Sequence, residues 1–322
     1  MTNKFCDKCG SPLTMDATPY CSVCNFESSQ SGEAVQLEPT KTELLPPDEI
    51  VQAEPLEYAA AEGDSGDGLP DPDSPPWSVP GAIGVWLFSV AAIFVLPILV
   101  VGIMLGLRSA SGEGLPLTAD GMQKLLLSPP YILGQVAATY PAHLLTLAVC
   151  WLVVTGFNKR PFLDALGWEW QGPPLLIKAA LVPSVCIGVF AIAVILDKIL
   201  PNSNDTTFEQ IINSSAQVRY ALAALAVFSA PFVEEFVYRG VLFGALRKRV
   251  GAPASIIVVT LLFWGVHVPQ YFRAWAGLAS LLVLSFILTL IRAATKSIKP
   301  CVAIHLLFNA VQALVLVTRA GK

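Results

Sequence analysis

Apolar residues gather into seven runs along the chain, at about 81–107, 131–156, 174–200, 219–246, 252–269, 274–291 and 300–317. A helix crosses a hydrocarbon core of about 30 Å with roughly 20 such residues. The expected fold class is therefore all-α, a polytopic transmembrane helical bundle of about seven spans. Two shorter stretches break this pattern. Arg160–Trp170 mixes charges with Phe162, Leu163, Trp168 and Trp170 and reads as an interfacial helix. Residues 202–213 read as a polar loop with a helix start at Asp205 or Thr206 that Glu209 could cap. Pro231, inside the fourth run, removes a helix hydrogen bond and is expected to kink that span, opening backbone around it to water.

The polar N-terminal part divides in two. Residues 1–28 carry Cys6, Cys9, Cys21 and Cys24 as two CxxC pairs, four thiolates suited to tetrahedral zinc. So short a segment holds no core without a metal or disulfides. The expectation is a zinc ribbon with structural Zn, with two disulfides as the alternative. Gly10 and Asn25, each just after a second cysteine, fit the tight turn of a zinc knuckle. This piece resembles the short zinc ribbons at the N-termini of many bacterial membrane proteins, which implies a structural role or a protein partner. Reduced thiolates place it in the cytoplasm. Residues 29–76 are rich in Glu, Asp, Pro, Ser and Gly and read as a disordered acidic linker without chemistry. Residues 77–322 form the transmembrane domain. Cys150, Cys186 and Cys301 are scattered in apolar runs and read as packing residues.

Composition agrees with this division. The chain is 54% hydrophobic and 14% charged, with mean hydropathy +0.61, which excludes an ordinary soluble enzyme. The net charge of −4 hides an asymmetry: residues 31–76 hold twelve acids against Lys41 alone, whereas seventeen Lys and Arg face nine acids from Trp77 onward. Placing the N-terminus inside puts Lys159, Arg160, Arg247, Lys248, Arg249, Arg292, Lys296 and Lys299 in cytoplasmic loops. The outer loops then hold Arg108, Lys124, Lys198, Arg219 and Arg273. The excess of inner positive charge supports an N-in, C-out topology. No nucleic-acid partner is expected; the lipid bilayer is the environment.

Candidate chemistry centres on Ser229–Arg249, where Glu234, Glu235 and Arg239 sit inside an apolar run. Charges at membrane depth are costly and mark functional sites by default. Glu235 and Arg239, four apart, share a helix face and can pair, each lowering the other's desolvation cost. Glu234 is rotated away and is left without a partner in its own helix, which makes it the candidate for proton exchange. The alternative is that all three merely tie helices together. His267 follows Phe263 by four residues, and His305 precedes Asn309 by four, so each couple shares a face. His143 stands without a motif and reads as a helix–helix hydrogen bonder.

In order, Glu234–Glu235–x–x–x–Arg239, Phe263–x–x–x–His267 and His305–x–x–x–Asn309 resemble the signature of the CPBP intramembrane proteases. That family includes the type II prenyl-protein (CAAX) endopeptidases and bacterial proteins linked to bacteriocin processing and immunity. The similarity spans about 174–317. It implies an intramembrane endopeptidase acting on a membrane-associated or lipidated peptide or protein, and the cytoplasmic zinc ribbon points to a multi-pass protein of a bacterial cell membrane. Glu234 would be the base that activates water, His267 would help to hold it, and His305 and Asn309 would stabilise the oxyanion. Glu235, Arg239 and Phe263 would support them. A catalytic metal is left open, since Glu234, His267 and His305 could supply a His2Glu site, although metal-independent chemistry is favoured. Two other functions compete: a transporter using the Glu–His cluster as a proton relay, or a non-catalytic scaffold whose ribbon recruits a partner. No internal inverted repeat favours the transporter.

Overall fold

The computed structural model describes residues 71–201 and 207–318, together with the backbone of 20–21 and 26–27. The chain forms two compact units, Met1–Ala61 and Glu62–Lys322. The described part of the first is an antiparallel hairpin of β1 (Tyr20–Cys21) and β2 (Phe26–Glu27), with Cys21 opposite Phe26. The side chains of Cys6, Cys9, Cys21 and Cys24, and the acidic linker up to residue 70, lie outside the described residues.

The second unit is a helical bundle. Its elements are α1 (Val79–Ala110), α2 (Ala119–Leu126), α3 (Pro129–Thr155), α4 (Phe162–Ala165), α5 (Leu175–Ile199), α6 (Thr207–Asn213), α7 (Ala216–Phe228) and α8 (Ala230–Glu235). A π-helical turn (Phe236–Leu242), α9 (Phe243–His267), α10 (Trp275–Thr295) and α11 (Lys299–Thr318) complete it. Helices close every backbone hydrogen bond within one segment, which a span surrounded by lipid requires. Their starts carry the expected oxygens: Ser78, Thr118 and Ser215 each accept from a first-turn backbone N–H of α1, α2 and α7.

Among the described residues, six helical stretches are long and apolar enough to cross a membrane, and the chain is a multi-pass membrane protein. One of them, Ala216–His267, has 52 residues. At 1.5 Å per residue it would reach about 78 Å, more than twice the hydrocarbon thickness. It does not run straight. Gly251 sits at φ 76° and ψ 170°, backbone that only glycine adopts readily, and the chain turns there. The seven apolar runs thus fall into six helical stretches, the fourth and fifth runs lying within this one and separated at Gly251.

Among the described residues, three packed clusters hold the bundle. The largest surrounds the π-helical turn, where Val237, Val241, Leu242 and Phe243 meet Val85, Val154, Leu166 and Phe263. A second joins α5, α10 and α11 through Cys186, Leu288, Cys301 and Phe308, with Phe190 stacked on Phe308 at 4.6 Å. A third sets Ile132 and Val136 against Val218.

Two expectations are corrected. Only Phe162–Ala165 of the 160–170 stretch is α-helical, and Ala165 and Leu166 are buried while Phe162 and Trp168 meet the edge of Phe236. The segment buries only part of its apolar set, since Leu163 stays exposed. The acidic linker was expected to extend to residue 76, but its last residues are ordered against the bundle: Asp73 is buried and ion-paired, with Trp77 buried just beyond.

Candidate active site

The local backbone explains how charges come to sit here. Ser229 leaves helical geometry (φ −122°, ψ −54°) and ends α7. Pro231 then falls in the first turn of α8, where its missing N–H costs nothing. The expected kink is present, with Ser229 as the break. His143 of α3 hydrogen-bonds the Ser229 hydroxyl across it at 2.7 Å, the interhelical role its isolation suggested. The π-helical turn follows at once and carries Arg239. Such turns leave the regular α-helical hydrogen-bond pattern and recur at functional sites.

Glu235 and Arg239 are both completely buried and meet at 3.1 Å. The guanidinium fork also donates to the Thr289 hydroxyl at 3.4 Å, and to the Ser285 carbonyl and hydroxyl at 3.1 and 2.8 Å. It lies over the Phe263 ring at 4.6 Å, a favourable cation–π geometry. Glu235 Oε1 also accepts from His305 Nδ1 at 2.8 Å, while Oε2 has no hydrogen-bond partner among the described residues. His305 Nε2 points the other way, 3.8 Å from Glu234 Oε2. One imidazole therefore bridges the two carboxylates, with its Nδ1 side fixed on the buried one. The Glu234 side chain is 21% exposed, against none for Glu235. The two adjacent acids thus occupy different environments, one in the brace and one open.

His267 reaches this assembly through Phe263. Its Nδ1 lies 2.7 Å from the Phe263 carbonyl, and its ring is 4.7 Å from the Phe263 ring. A carbonyl only accepts, so Nδ1 carries the proton and Nε2 keeps a free lone pair. Phe263 packs edge-on against His305 at 6.1 Å and against Tyr238 at 5.1 Å. It is the common wall of the site rather than a partner of His267 alone. Asn309 lies apart from the carboxylates in its contacts: Nδ2 donates to the Ala226 carbonyl at 2.8 Å, one of the last four carbonyls of α7, which have no acceptor role within the helix. It caps the broken end of α7 and keeps a second amide hydrogen.

Several residues around the site carried no motif. Ser285 and Thr289 are spaced like one polar face of an otherwise apolar α10, a signal the sequence held. Trp86 of α1 donates to the Tyr238 hydroxyl at 3.1 Å, a contact no spacing announces. Arg292, counted above as a loop charge, is fully buried; its Nε donates to the Arg239 carbonyl at 3.1 Å. Tyr271, in the turn after α9, lies tilted against Phe208 of α6, with ring centroids 5.2 Å apart. Burial, and then the negative charge of Glu234, push its phenol up to about 12.

No group of three His, Cys, Asp or Glu side chains is gathered as a metal-ligand set among the described residues.

No curated protein and no solved structure matches the chain. Residues 216–311 match the family model described as type II CAAX prenyl endopeptidase Rce1-like. That stretch is narrower than the 174–317 expected from the motifs, yet it runs from α7 into α11 and contains Glu234, Glu235, Arg239, Phe263, His267, His305 and Asn309. Over this stretch the chain is similar to that protease family.

Proposed function

We propose that the protein is an intramembrane endopeptidase that hydrolyses a peptide bond of a membrane-associated or lipidated peptide or protein. The observation that carries this reading is the single imidazole of His305 set between a braced carboxylate, Glu235, and an open one, Glu234, within the stretch similar to the CAAX endopeptidases. Glu234 takes a proton from water as the oxygen bonds to the scissile carbonyl carbon. His267, with its Nε2 lone pair, holds that water. The oxyanion is met by the remaining amide hydrogen of Asn309 and by His305 in its doubly protonated form, which donates from Nδ1 to Glu235 and from Nε2 to the oxyanion. The C–N bond then breaks as Glu234 returns its proton to the leaving amine.

The N-terminus lies inside, and residues 1–28 bind structural zinc through Cys6, Cys9, Cys21 and Cys24. The hairpin at Tyr20–Cys21 and Phe26–Glu27, which brackets the second CxxC, supports a knuckle there. This ribbon is a docking piece for a protein partner.

The test compares N- and C-terminal peptides from membranes of cells expressing the wild type or Glu234→Gln. New termini are expected only with the wild type. Identical termini in both, with equal amounts of protein inserted, would refute the proposed activity. Metal analysis of the wild type against Cys6→Ser checks the ribbon, which should lose its one zinc.

A further inference from the structure

We infer that Asp73, outside the matched stretch and outside every motif, is a positioning residue for the active site, acting through Arg292 on the π-helical turn that carries Arg239.

Asp73 is an unusual acid. It is buried just before α1, and three cations converge on it: Arg292 at 3.0 Å, Arg247 at 3.0 Å and Lys296 at 3.8 Å. Arg292 is completely buried in α10 and spends its whole fork on fixed acceptors. Nη1 goes to Asp73, Nη2 to the Pro72 carbonyl at 3.0 Å, and Nε to the Arg239 carbonyl at 3.1 Å. Without Asp73, that guanidinium would be an uncompensated buried charge and would not hold its position. The contact it makes with Arg239 is to the backbone of the residue whose side chain braces Glu235.

The same short segment reaches the turn a second time. Trp77 Nε1 donates to the Val241 carbonyl at 3.0 Å. A π turn departs from regular α-helical hydrogen bonding, and here two of its carbonyls are held from outside, one by Trp77 and one by the arginine that Asp73 fixes. The seat is shaped for this. A Cβ on Gly244, one turn further along, would meet the Pro72 carbonyl oxygen at 2.8 Å, so the strap lies directly on the backbone of α9. The chain is therefore clamped at 72–77 against the helix that presents Glu235 and Arg239 to His305. A displacement of about 1 Å can cost on the order of 100-fold in rate even when it starts far from the chemistry.

This role rests on the endopeptidase function proposed above, so the test reads structure as well as rate. The full-length protein is compared as wild type, Asp73→Asn, Arg247→Gln and the double variant Asp73→Asn/Arg292→Met. Each is measured for thermal unfolding, for hydrogen exchange of the amides from Arg239 to Phe243, and for the initial rate at which wild-type-dependent termini form. Asp73→Asn should speed exchange in that segment and lower the rate by about tenfold or more. Arg247→Gln removes a cation from the same carboxylate but leaves both donors to the turn, Arg292 and Trp77, in place, and should leave both unchanged. The double variant removes both buried charges. Its unfolding temperature should recover toward wild type, while fast exchange and low rate persist, because the donor to Arg239 is gone. A purely structural ion pair would recover all three together, and that outcome overturns the inference. So does unchanged exchange at 239–243 in Asp73→Asn. A wild type that forms no new termini would sink the protease function, and the exchange measurements would still decide the positioning role.

Discussion

Arg239→Met is the sharpest probe of what holds the site together. The substitution keeps an unbranched apolar stem and deletes the guanidinium that pairs with Glu235. What remains is a completely buried carboxylate whose Oε2 has no hydrogen-bond partner among the described residues and whose Oε1 keeps His305. The Ser285 and Thr289 hydroxyls lose their donor as well. Breaking a buried pair from one side costs about 3–5 kcal/mol, a large share of the roughly 5–15 kcal/mol that holds a typical fold. At about 2–4 °C per kcal/mol for a chain of this size, the unfolding temperature should drop by about 10 °C. The partner experiment fixes the cause. Glu235→Gln in the Arg239→Met background removes the stranded charge and leaves an amide oxygen for His305, so most of the lost stability should return while cleavage does not. The assay is thermal unfolding of purified protein in detergent, read beside the cleavage rate. If Arg239→Met unfolds at the wild-type temperature, the pair is not a brace. If the double variant is no better than the single, the loss comes from packing against Phe263 and not from charge.

Other positions give independent checks. Asn309→Ala orphans the Ala226 carbonyl and should cost about 1–3 kcal/mol. Asn309→Asp should do no better, because a carboxylate cannot donate to a carbonyl; a variant inactive yet fully stable would assign Asn309 to chemistry alone. The Tyr271 phenol has a folded pKa raised from near 10 to about 12, so its contribution to stability is whole below about pH 10 and is lost as pH rises toward 12. Tyr271→Phe should flatten that alkaline decline, seen as unfolding temperature against pH, and an unchanged slope would show that another group causes it. Gly251→Ala forces a Cβ into a conformation nearly reserved for glycine and should cost about 1–3 kcal/mol, measured by the same unfolding assay; a neutral result would mean the turn does not need this backbone.

The parts of the site that could be read from the chain were those for which membrane depth leaves no bland use. Glu234, Glu235 and Arg239 stand out because a charge in an apolar run must be paired or functional, and the i,i+4 spacing of Glu235 and Arg239 gave their pairing directly. Pro231 marked the break. The spans themselves followed from apolar length, and Gly251 accounts for two of them lying within one continuous helical stretch. Asp73 could not be read, because it is one acid among many in a polar stretch and its partners are more than 170 residues away in sequence. Arg292 was hidden by its position near a span end, where a basic residue looks like a topological marker. His305 was expected at the oxyanion, yet its Nδ1 is on the brace: that contact joins residues 70 apart, and only packing decides it. The Asn309 contact with Ala226 depends on α7 stopping short, which is a property of the broken backbone and not of spacing.

The breaks and the charges explain each other. A straight helix from Ala216 to His267 would carry Glu234, Arg239 and His267 past one another at different depths, and nothing would bring His305 of α11 to both carboxylates. The stop at Ser229, the π turn and the reversal at Gly251 bend that stretch back on itself, so that Phe263 lies against Tyr238, Arg239 and His305 at once. The stop at Ser229 and the π turn expose backbone or polar groups that a lipid-surrounded helix would not tolerate, and both are met from elsewhere in the bundle, whereas the Gly251 carbonyl accepts from Ser255 of α9 itself. His143 meets Ser229 from α3, Asn309 meets the end of α7 from α11, and Arg292 and Trp77 meet the π turn from α10 and from the segment before α1. Irregular backbone inside a membrane protein persists only where protein surrounds it, and here the surrounding donors are what keep Glu234 open while Glu235, one residue away, is locked.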